Sequence, residues 1–328
     1  MRILNGLALA FFLCCSASLV YSEPTLQSII DAIQANAEKR AALLKHSSGA
    51  CTVRLQREVA EDRPAEKLPF SMDNFHFDPN HTAKVTWMQR GDLLRFDVVI
   101  PQPATPSTIW SPFPPQNTRT LLDGHRSVTY DVTADSVFID TQPPASVNPI
   151  AILYRFEPEL LYRFRGYVLH ELLKEFLEQD RLPKISEVHR NGQRLLELKF
   201  TWKRGDHGRD REGVTQYVVA PDQGYSLVEG LYSNRFFDKG VFSTETFERF
   251  DGTYVESTEY RGIWLLSHLR HLTDTSGTLD AVEVTLKETR VGIDSPDVNF
   301  TEEGLGIKDG APTVDRRVPS TGTAEGNP

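Results

Sequence analysis

Histidine and acidic side chains, the groups most often used as metal ligands and acid–base catalysts, lie close together at three places in the sequence. At the first of these, His170 is followed by Glu171, as at the start of the His-Glu-x-x-His motif of helical zinc sites. The second histidine of that motif would stand at position 174, but Lys174 occupies it. We therefore interpret this segment as the solvated face of a helix.

His268 and His271 form the second group. A spacing of three residues places two side chains on one face of a helix but on opposite faces of a strand. The apolar residues around them, Trp264–Leu266 and Leu269, favour a strand. The two histidines are therefore not expected to share a metal ion, and the sequence indicates neither a metal site nor a cofactor.

The third group, Asp206, His207 and Asp210, lies in a charged stretch at 204–212. These side chains could act as an acid–base cluster, but a charged hairpin loop has the same composition. The sequence contains no G-x-S-x-G elbow, no Walker A loop and no G-x-G-x-x-G fingerprint. We therefore expect a protein that is not an enzyme, with an uncharacterised hydrolase as the least favoured alternative.

The overall composition is that of a folded soluble protein, with 39% hydrophobic and 25% charged residues among 328. There are 45 acidic and 36 basic residues, a formal net charge of −9, so nucleic acid is not an expected partner. The three cysteines, two of them adjacent near the N-terminus, cannot form a disulfide framework. Stability must come from a packed core.

Residues 1–22 are typical of a secretory signal peptide. Arg2 supplies the positive charge, an apolar segment runs from Leu7 to Cys15, and Val20–Ser22 precedes the expected cleavage site before Glu23. Anchoring as a lipoprotein is less favoured, because the two adjacent cysteines lie within the apolar segment. An uncleaved anchor is also less favoured, because that segment is shorter than the ~20 residues that a membrane span needs.

Cleavage after residue 22 would leave Cys51 as the remaining cysteine. It stands in a strand-like stretch, where a cysteine most often serves as a small buried apolar residue. The mature chain is expected in the periplasm or outside the cell, with no transmembrane span.

A single amphipathic helix is expected at the start of the mature chain. Apolar side chains recur every three or four residues from Leu26 to Ile33 and beyond, which is the spacing of one helix face. The pattern predicts a helix over about 25–45.

From Gly49 onward, apolar and polar residues alternate, the pattern of antiparallel strands with one buried face. Glycine-containing turn sequences between such runs predict tight hairpins. These turn sequences are Arg90-Gly91-Asp92, Asp123-Gly124, Asn191-Gly192 and Asp251-Gly252. In the second half of the chain, strands are expected near 214–220, 225–233, 242–250, 253–261, 262–272 and 279–291.

Three segments depart from this strand pattern. Residues 150–180 have one apolar face and predict a long helix that covers the sheet, with a movable lid as the alternative. The Pro-rich stretch 101–117 is expected to be an irregular loop, since proline suits neither central strands nor helix interiors. Residues 316–328 have no apolar periodicity and are expected to be a disordered tail. We expect one domain over 23–315.

This order of elements resembles the LolA/LolB-like family of outer-membrane lipoprotein-sorting proteins and their periplasmic relatives. Short sequence motifs carry the resemblance: an opening helix, a strand with a basic residue between apolar ones, two turns and a late strand with tryptophan. In this sequence they are Thr25–Asn36, Leu93–Asp97, Leu122–His125, Val218–Tyr225 and Gly262–Leu265.

The resemblance implies an α+β fold that is mainly antiparallel β. Its sheet would be a strongly curved, incomplete β-barrel, closed by the N-terminal helix and the inserted helical segment around an apolar cavity. Family members with known roles carry lipoprotein acyl chains without catalysis. This chain is longer than the compact sorting carriers, because it adds the Pro-rich stretch and the segment at 150–180.

The leading hypothesis is an exported, monomeric binding protein with an apolar cavity for a lipid or lipoprotein acyl chain. For any single inward residue, packing in the core is the simpler interpretation. The expected lining residues are Trp87, Leu94, Phe96, Val98, Phe164, Val168, Leu172, Leu196, Leu198, Phe200, Trp202 and Tyr217. The alternative is a structural or interaction protein of the cell envelope, with a filled core, no ligand and an envelope protein as partner.

Overall fold

The computed structural model describes residues 24–59, 81–100, 117–141, 156–206, 209–238, 241–275, 278–293 and 296–316. The predicted signal peptide lies outside these ranges, as do all but the last residue of the Pro-rich stretch and all but the first residue of the predicted tail. Neither helix of the described part is long and apolar enough to cross a membrane.

Two α-helices and fourteen strands make up the regular structure of the described ranges. The helices are α1 (Leu26–Leu44) and α2 (Leu169–Glu178). The first seven strands are β1 (His46–Val59), β2 (His81–Arg90), β3 (Leu93–Val99), β4 (Asn117–Leu122), β5 (Arg126–Asp131), β6 (Ser136–Thr141) and β7 (Lys184–Arg190). The others are β8 (Gln193–Asp206), β9 (Arg209–Ala220), β10 (Ser226–Asp238), β11 (Val241–Glu256), β12 (Trp264–Thr275), β13 (Thr278–Val291) and β14 (Thr313–Asp315).

All the strands belong to one curved sheet in the order β14-β6-β5-β4-β3-β2-β1-β13-β12-β11-β10-β9-β8-β7. Neighbouring strands are antiparallel except β14, which runs parallel to β6. The pairing of β1 with β13 joins the two meanders edge to edge. The outer strands β14 and β7 are not paired with each other, so the sheet is an incomplete barrel. The predicted fold class is confirmed.

Helix α1 is the expected N-terminal helix. Thr25 caps it, because its hydroxyl accepts a hydrogen bond from the Ser28 backbone N–H at 3.2 Å. Ile29, Ile30 and Ile33 are buried in the same cluster as the inward side chains of the sheet. The periodic apolar face thus fixes which side of the helix meets the sheet.

The prediction of a long helix over 150–180 is wrong. A 3₁₀ helix spans Pro158–Tyr162, and α2 begins only at Leu169. Between them Phe164 and Tyr167 form a β-bridge around Arg165 and Gly166, which have φ values of 56° and 77°. Two successive left-handed residues form a tight turn of the type I′ class and cannot continue a right-handed helix. We call residues 163–168 the Phe164 loop.

The turn expected at Asp251-Gly252 is also wrong, because β11 continues through it, whereas the other three glycine turns are confirmed. Gly252 lies within the strand, where a Cβ atom would come within 2.8 Å of the Phe250 ring and 3.1 Å of the Leu227 carbonyl oxygen. Glycine is needed here for close packing rather than for a turn. The strands expected at 242–250 and 253–261 are therefore one strand.

Both irregular segments are shorter than expected at one end. Asn117 belongs to β4 rather than to the Pro-rich loop, because it pairs with Val99. Arg316 is not part of a disordered tail, since its backbone N–H donates to the Ile139 carbonyl at 2.8 Å. Its guanidinium also lies 4.6 Å from the Phe138 ring centroid. These contacts keep the chain at the β6 edge beyond β14.

Candidate functional site

Ten of the twelve expected cavity-lining residues pack against one another in a single buried cluster on the inner face of the sheet. They are Trp87, Leu94, Phe96, Val98, Phe164, Leu172, Leu196, Leu198, Phe200 and Tyr217. Val168 instead precedes α2 as its N-cap residue, and Trp202 is half-buried. Side chains thus fill the centre of the inner face, and ligand contact by these residues stays a prediction.

The Phe164 loop supplies part of this filling. The Phe164 ring makes edge-on contacts with Tyr217, Phe250 and His271 at centroid distances of 6.1, 6.2 and 6.3 Å. It lies over Gly230, where a Cβ atom would be 3.1 Å from the ring. The Phe164 ring therefore packs against the sheet at a site that a larger side chain at position 230 would block.

An open cleft of about 320 Å³ lies beside this core, between α1, the 3₁₀ helix, α2 and the turn before β10. Its apolar wall comes from α1, the start of α2 with its N-cap residue, and the start of β10, through Ile33, Ala37, Val168, Leu169 and Leu227. Charged side chains stand around the apolar wall, namely Glu38, Arg40, Glu159, Arg163 and Glu171. Apolar walls with a few charged groups suit an amphipathic ligand.

Two phenols line the cleft, the half-buried Tyr162 and the buried Tyr254. Tyr162 accepts a hydrogen bond from the Leu266 backbone N–H at 2.9 Å, and the Tyr254 hydroxyl donates to the Leu227 carbonyl at 2.9 Å. Burial raises the pKa of both phenols above their ordinary value. The Arg40 guanidinium lies 4.0 Å from the Tyr162 ring centroid. Both hydroxyls therefore stay protonated and serve as structural hydrogen-bonding groups.

His170 also lines the cleft, but it has no zinc-site partner. Burial lowers the pKa of His170, so the neutral imidazole is favoured, and its Nδ1 atom is buried without a hydrogen-bond partner. Lys174 donates a hydrogen bond to Gln34 at 2.6 Å and so links α2 to α1. No group of three potential metal-binding side chains occurs in the described part of the chain.

A second polar group, which we call the Arg165 cluster, comprises Arg165, Tyr232, Glu248 and His271 on the inner face. The Arg165 guanidinium lies 3.6 Å from the Tyr232 ring centroid, and its Nε atom is 3.8 Å from Glu248 Oε1. His271 Nε2 is 3.9 Å from Glu248 Oε2. Burial lowers the pKa of His271 to about 4 and raises that of Glu248.

The sequence motifs account for only part of this cluster. His268 contacts Glu283 and Thr285, whereas the His271 ring contacts Phe164, so the two histidines do not meet. Glu248 belongs to no sequence motif, because only the pairing of β11 with β12 places it beside His271. In the charged hairpin, Asp206 and Asp210 lie on paired strands, and His207 is outside the described residues.

Another cleft, of about 390 Å³, is mainly polar. It is lined by Lys45, Gln89, Asp92, Asp123 and Glu157, among others. Burial raises the pKa of Glu159, which borders both clefts. The polar lining suits an apolar chain less well than the wall of the first cleft.

No protein family and no curated protein matches this sequence. Among solved structures, the chain is similar to a putative outer membrane lipoprotein-sorting protein domain from Vibrio parahaemolyticus. The two are 12% identical over 86% of this chain and 99% of that chain, with a TM-score of 0.38. The sorting fold that the sequence resembles is thus among the matches.

A DUF1329 family protein from Desulfovibrio piger is also similar, with 12% identity over 87% of this chain and 100% of that chain and a TM-score of 0.41. An uncharacterized conserved protein from Thermus thermophilus is 10% identical over 88% of this chain and 98% of that chain, with a TM-score of 0.30. The fold class rests on the strand pairing of the chain itself.

Proposed function

We propose that this chain is an exported, non-enzymatic protein that binds the apolar chain of a lipid or lipoprotein in the cleft between α1 and α2. The observation that carries the proposal is the apolar wall built by α1, α2 and the start of β10, with charged side chains around it. A volume of about 320 Å³ is at the lower end of the range for ligand pockets. Export is proposed from the signal-like residues 1–22.

The chemistry of the cleft supports binding rather than catalysis. The phenols of Tyr162 and Tyr254 stay protonated, and each already takes part in a hydrogen bond with the backbone. The buried Nδ1 atom of His170 lacks a hydrogen-bond partner, whereas a catalytic histidine is oriented by one and lies beside a nucleophile. Apolar contact with a hydrocarbon chain needs none of these groups.

The test compares the wild type with Ala37→Trp, which would fill the cleft, and with Ala35→Trp. Ala37 lines the cleft, whereas Ala35 is exposed on the same helix. All three proteins are produced in the organism that naturally makes this chain and are purified from it. Bound lipid is measured by native mass spectrometry and by extraction. We expect lipid with the wild type and with Ala35→Trp, and loss of lipid with Ala37→Trp. Equal lipid content in all three proteins would contradict the proposal.

The packing of ten expected lining residues into one cluster supports the alternative, a structural or interaction protein of the envelope. Such a protein needs a filled core and an outer surface that meets a partner protein. The same measurement separates the two functions, since absence of lipid from the folded wild type would favour the alternative. Crosslinking in the host would then be expected to capture a defined envelope protein.

A further inference from the structure

The two clefts described above share a border. We call the cleft of about 320 Å³ between α1 and α2 the apolar cleft, and the mainly polar one of about 390 Å³ the polar cleft. Glu159 of the 3₁₀ helix lines both of them. At the end of α1, Leu44 lines the apolar cleft and the next residue, Lys45, lines the polar cleft. The two clefts therefore adjoin at Glu159 and at the end of α1.

The apolar cleft follows one face of α1. The residues of α1 that form its apolar side recur every three or four positions, and they are Ile33, Ala37, Ala41 and Leu44. Because a helix rises about 1.5 Å per residue, the cleft runs along α1 for roughly 16 Å. Its volume of about 320 Å³ is at the lower end of the range for ligand pockets. A long cleft of small volume suits one hydrocarbon chain better than several chains packed side by side.

Two guanidinium groups line the apolar cleft, those of Arg40 and Arg163. The Arg40 guanidinium lies 4.0 Å from the centroid of the Tyr162 ring, and Arg163 follows Tyr162 in the chain. Neither guanidinium pairs with a carboxylate among the residues that the structure describes. Guanidinium groups bind phosphate through charge-assisted hydrogen bonds. The two arginines can therefore hold a phosphate beside a chain that lies in the apolar cleft.

Carboxylates dominate the polar cleft. Its acidic and basic lining residues are Lys45, Asp92, Asp123, Glu157 and Glu159. Asp123 is neutralised by Arg126 at 2.7 Å, but the other carboxylates still outnumber the ammonium group of Lys45. Burial raises the pKa of Glu159 because its ionised form is poorly solvated, so a cation bound beside it would stabilise that form. The polar cleft therefore favours a positively charged group and repels an anion.

We propose that the two clefts together bind a single-chain lipid whose headgroup is zwitterionic, of the phosphoethanolamine type. The hydrocarbon chain lies along α1 in the apolar cleft, the phosphate lies at Arg40 and Arg163, and the ammonium group lies beside Glu159 in the polar cleft. The inference rests on the proposed function and names the class of lipid. A fatty acid would leave the polar cleft without its cation, and an anionic headgroup would be repelled there.

The test measures how single-chain phospholipids displace a fluorescent fatty acid from the full exported chain. Lysophosphatidylethanolamine carries the proposed headgroup, whereas lysophosphatidylglycerol has the same phosphate and no ammonium group. Both have the same hydrocarbon chain and are used below their micelle concentrations. We expect the ethanolamine lipid to bind the wild type roughly fivefold more tightly, as for one partly exposed charge pair.

Glu159→Gln tests the site of the ammonium group, because the amide keeps the shape of the side chain and removes its charge. The preference for the ethanolamine lipid should fall to within about twofold. Glu178→Gln is the matched control, since Glu178 is exposed on α2 and lines neither cleft. It should keep the preference of the wild type.

Arg163→Gln tests the site of the phosphate. It should weaken the binding of both phospholipids by a similar factor, roughly fivefold, because both carry the phosphate. Arg270→Gln is the matched control, since Arg270 is exposed on β12 and lines neither cleft. It should leave the affinity for both lipids unchanged. Ala37→Trp, which fills the apolar cleft, should abolish the binding of both phospholipids and of the fluorescent fatty acid.

The headgroup assignment is overturned if the wild type binds the two phospholipids equally or prefers the glycerol lipid, although chain binding would then still stand. It is also overturned if Glu159→Gln keeps the same preference as Glu178→Gln, since the ammonium group would then lie elsewhere. A folded wild type that binds neither the fluorescent fatty acid nor either phospholipid would contradict the proposed function itself, and this inference with it.

Discussion

Burial controls the protonation of His271. Its side chain is 14% exposed and lies against the Phe164 ring. Desolvation lowers its pKa from 6.5 to about 4, so the folded protein holds a neutral imidazole at neutral pH. Glu248, 3.9 Å away, has a raised pKa for the same reason. The two groups therefore contribute to the pH dependence of stability with opposite signs.

The unfolded chain binds more protons at His271 than the folded chain between pH 6.5 and about 4. The contribution of His271 to the free energy of unfolding is therefore fully present above pH 6.5. It is lost as the pH falls, by about 3 kcal/mol in total. His271→Asn should remove this loss, so the free-energy difference between wild type and variant should change between pH 7 and pH 4.5 in urea unfolding.

His268→Asn is the control for this experiment, because His268 lies on the same strand and contacts Glu283 rather than Phe164. It should keep the pH-dependent loss of the wild type. A His271→Asn variant that loses as much stability as the wild type on acidification would contradict a buried neutral imidazole. Glu248 is present in all three proteins, so its opposite contribution cancels in the comparison.

At the scale of elements, α2 is held by one apolar face and one polar link to α1. Leu169, Leu172 and Leu173 are buried, and Lys174 donates to Gln34 across the two helices. A helix of ten residues is too short to be stable alone in water, so packing must supply its stability. The cleft between α1 and α2 therefore depends on this packing.

Leu173→Ala should destabilise the protein by about 2 to 5 kcal/mol, because a fully buried leucine is replaced and a cavity remains. Leu182→Ala is the matched control, since Leu182 is 65% exposed just after α2. We expect its effect to be within about 0.5 kcal/mol of zero. Chemical denaturation measures both values, and similar losses for the two variants would contradict the described docking of α2.

For the whole molecule, the pairing of β1 with β13 joins the two meanders into one sheet. Cys51 lies in this seam, paired with Leu286 on one side and Val85 on the other, and its side chain is buried. Burial raises its pKa to about 12, so the thiol stays protonated. A thiol reagent reaches such a group only when the seam opens.

In protein that begins at Glu23, a thiol reagent should therefore label Cys51 no faster than the sheet unfolds. Labelling should be complete in denaturant, and its rate under native conditions should follow the unfolding rate measured by fluorescence. Cys51→Ser, which removes the thiol, is the control for reaction elsewhere. Rapid labelling of the native wild type would show that the β1–β13 seam is open in solution.

The alternation of apolar and polar residues, by itself, determined the strands and the side chains that point inward. Side-chain direction alternates strictly along a strand, so Leu196, Leu198 and Phe200 could be assigned to one face without a structure. The spacing around Ile29 and Ile33 likewise determined α1. These properties depend on residues close together in the chain, and a sequence shows them directly.

Only the tertiary structure decided which strands are neighbours and where open space remains. The Arg165 cluster exists because strand register places Glu248 near His271 and because a left-handed turn directs Arg165 onto the sheet. The centre of the inner face is filled by the side chains expected to line a cavity. The open cleft lies instead beside α1, because packing volume depends on residues that are far apart in sequence.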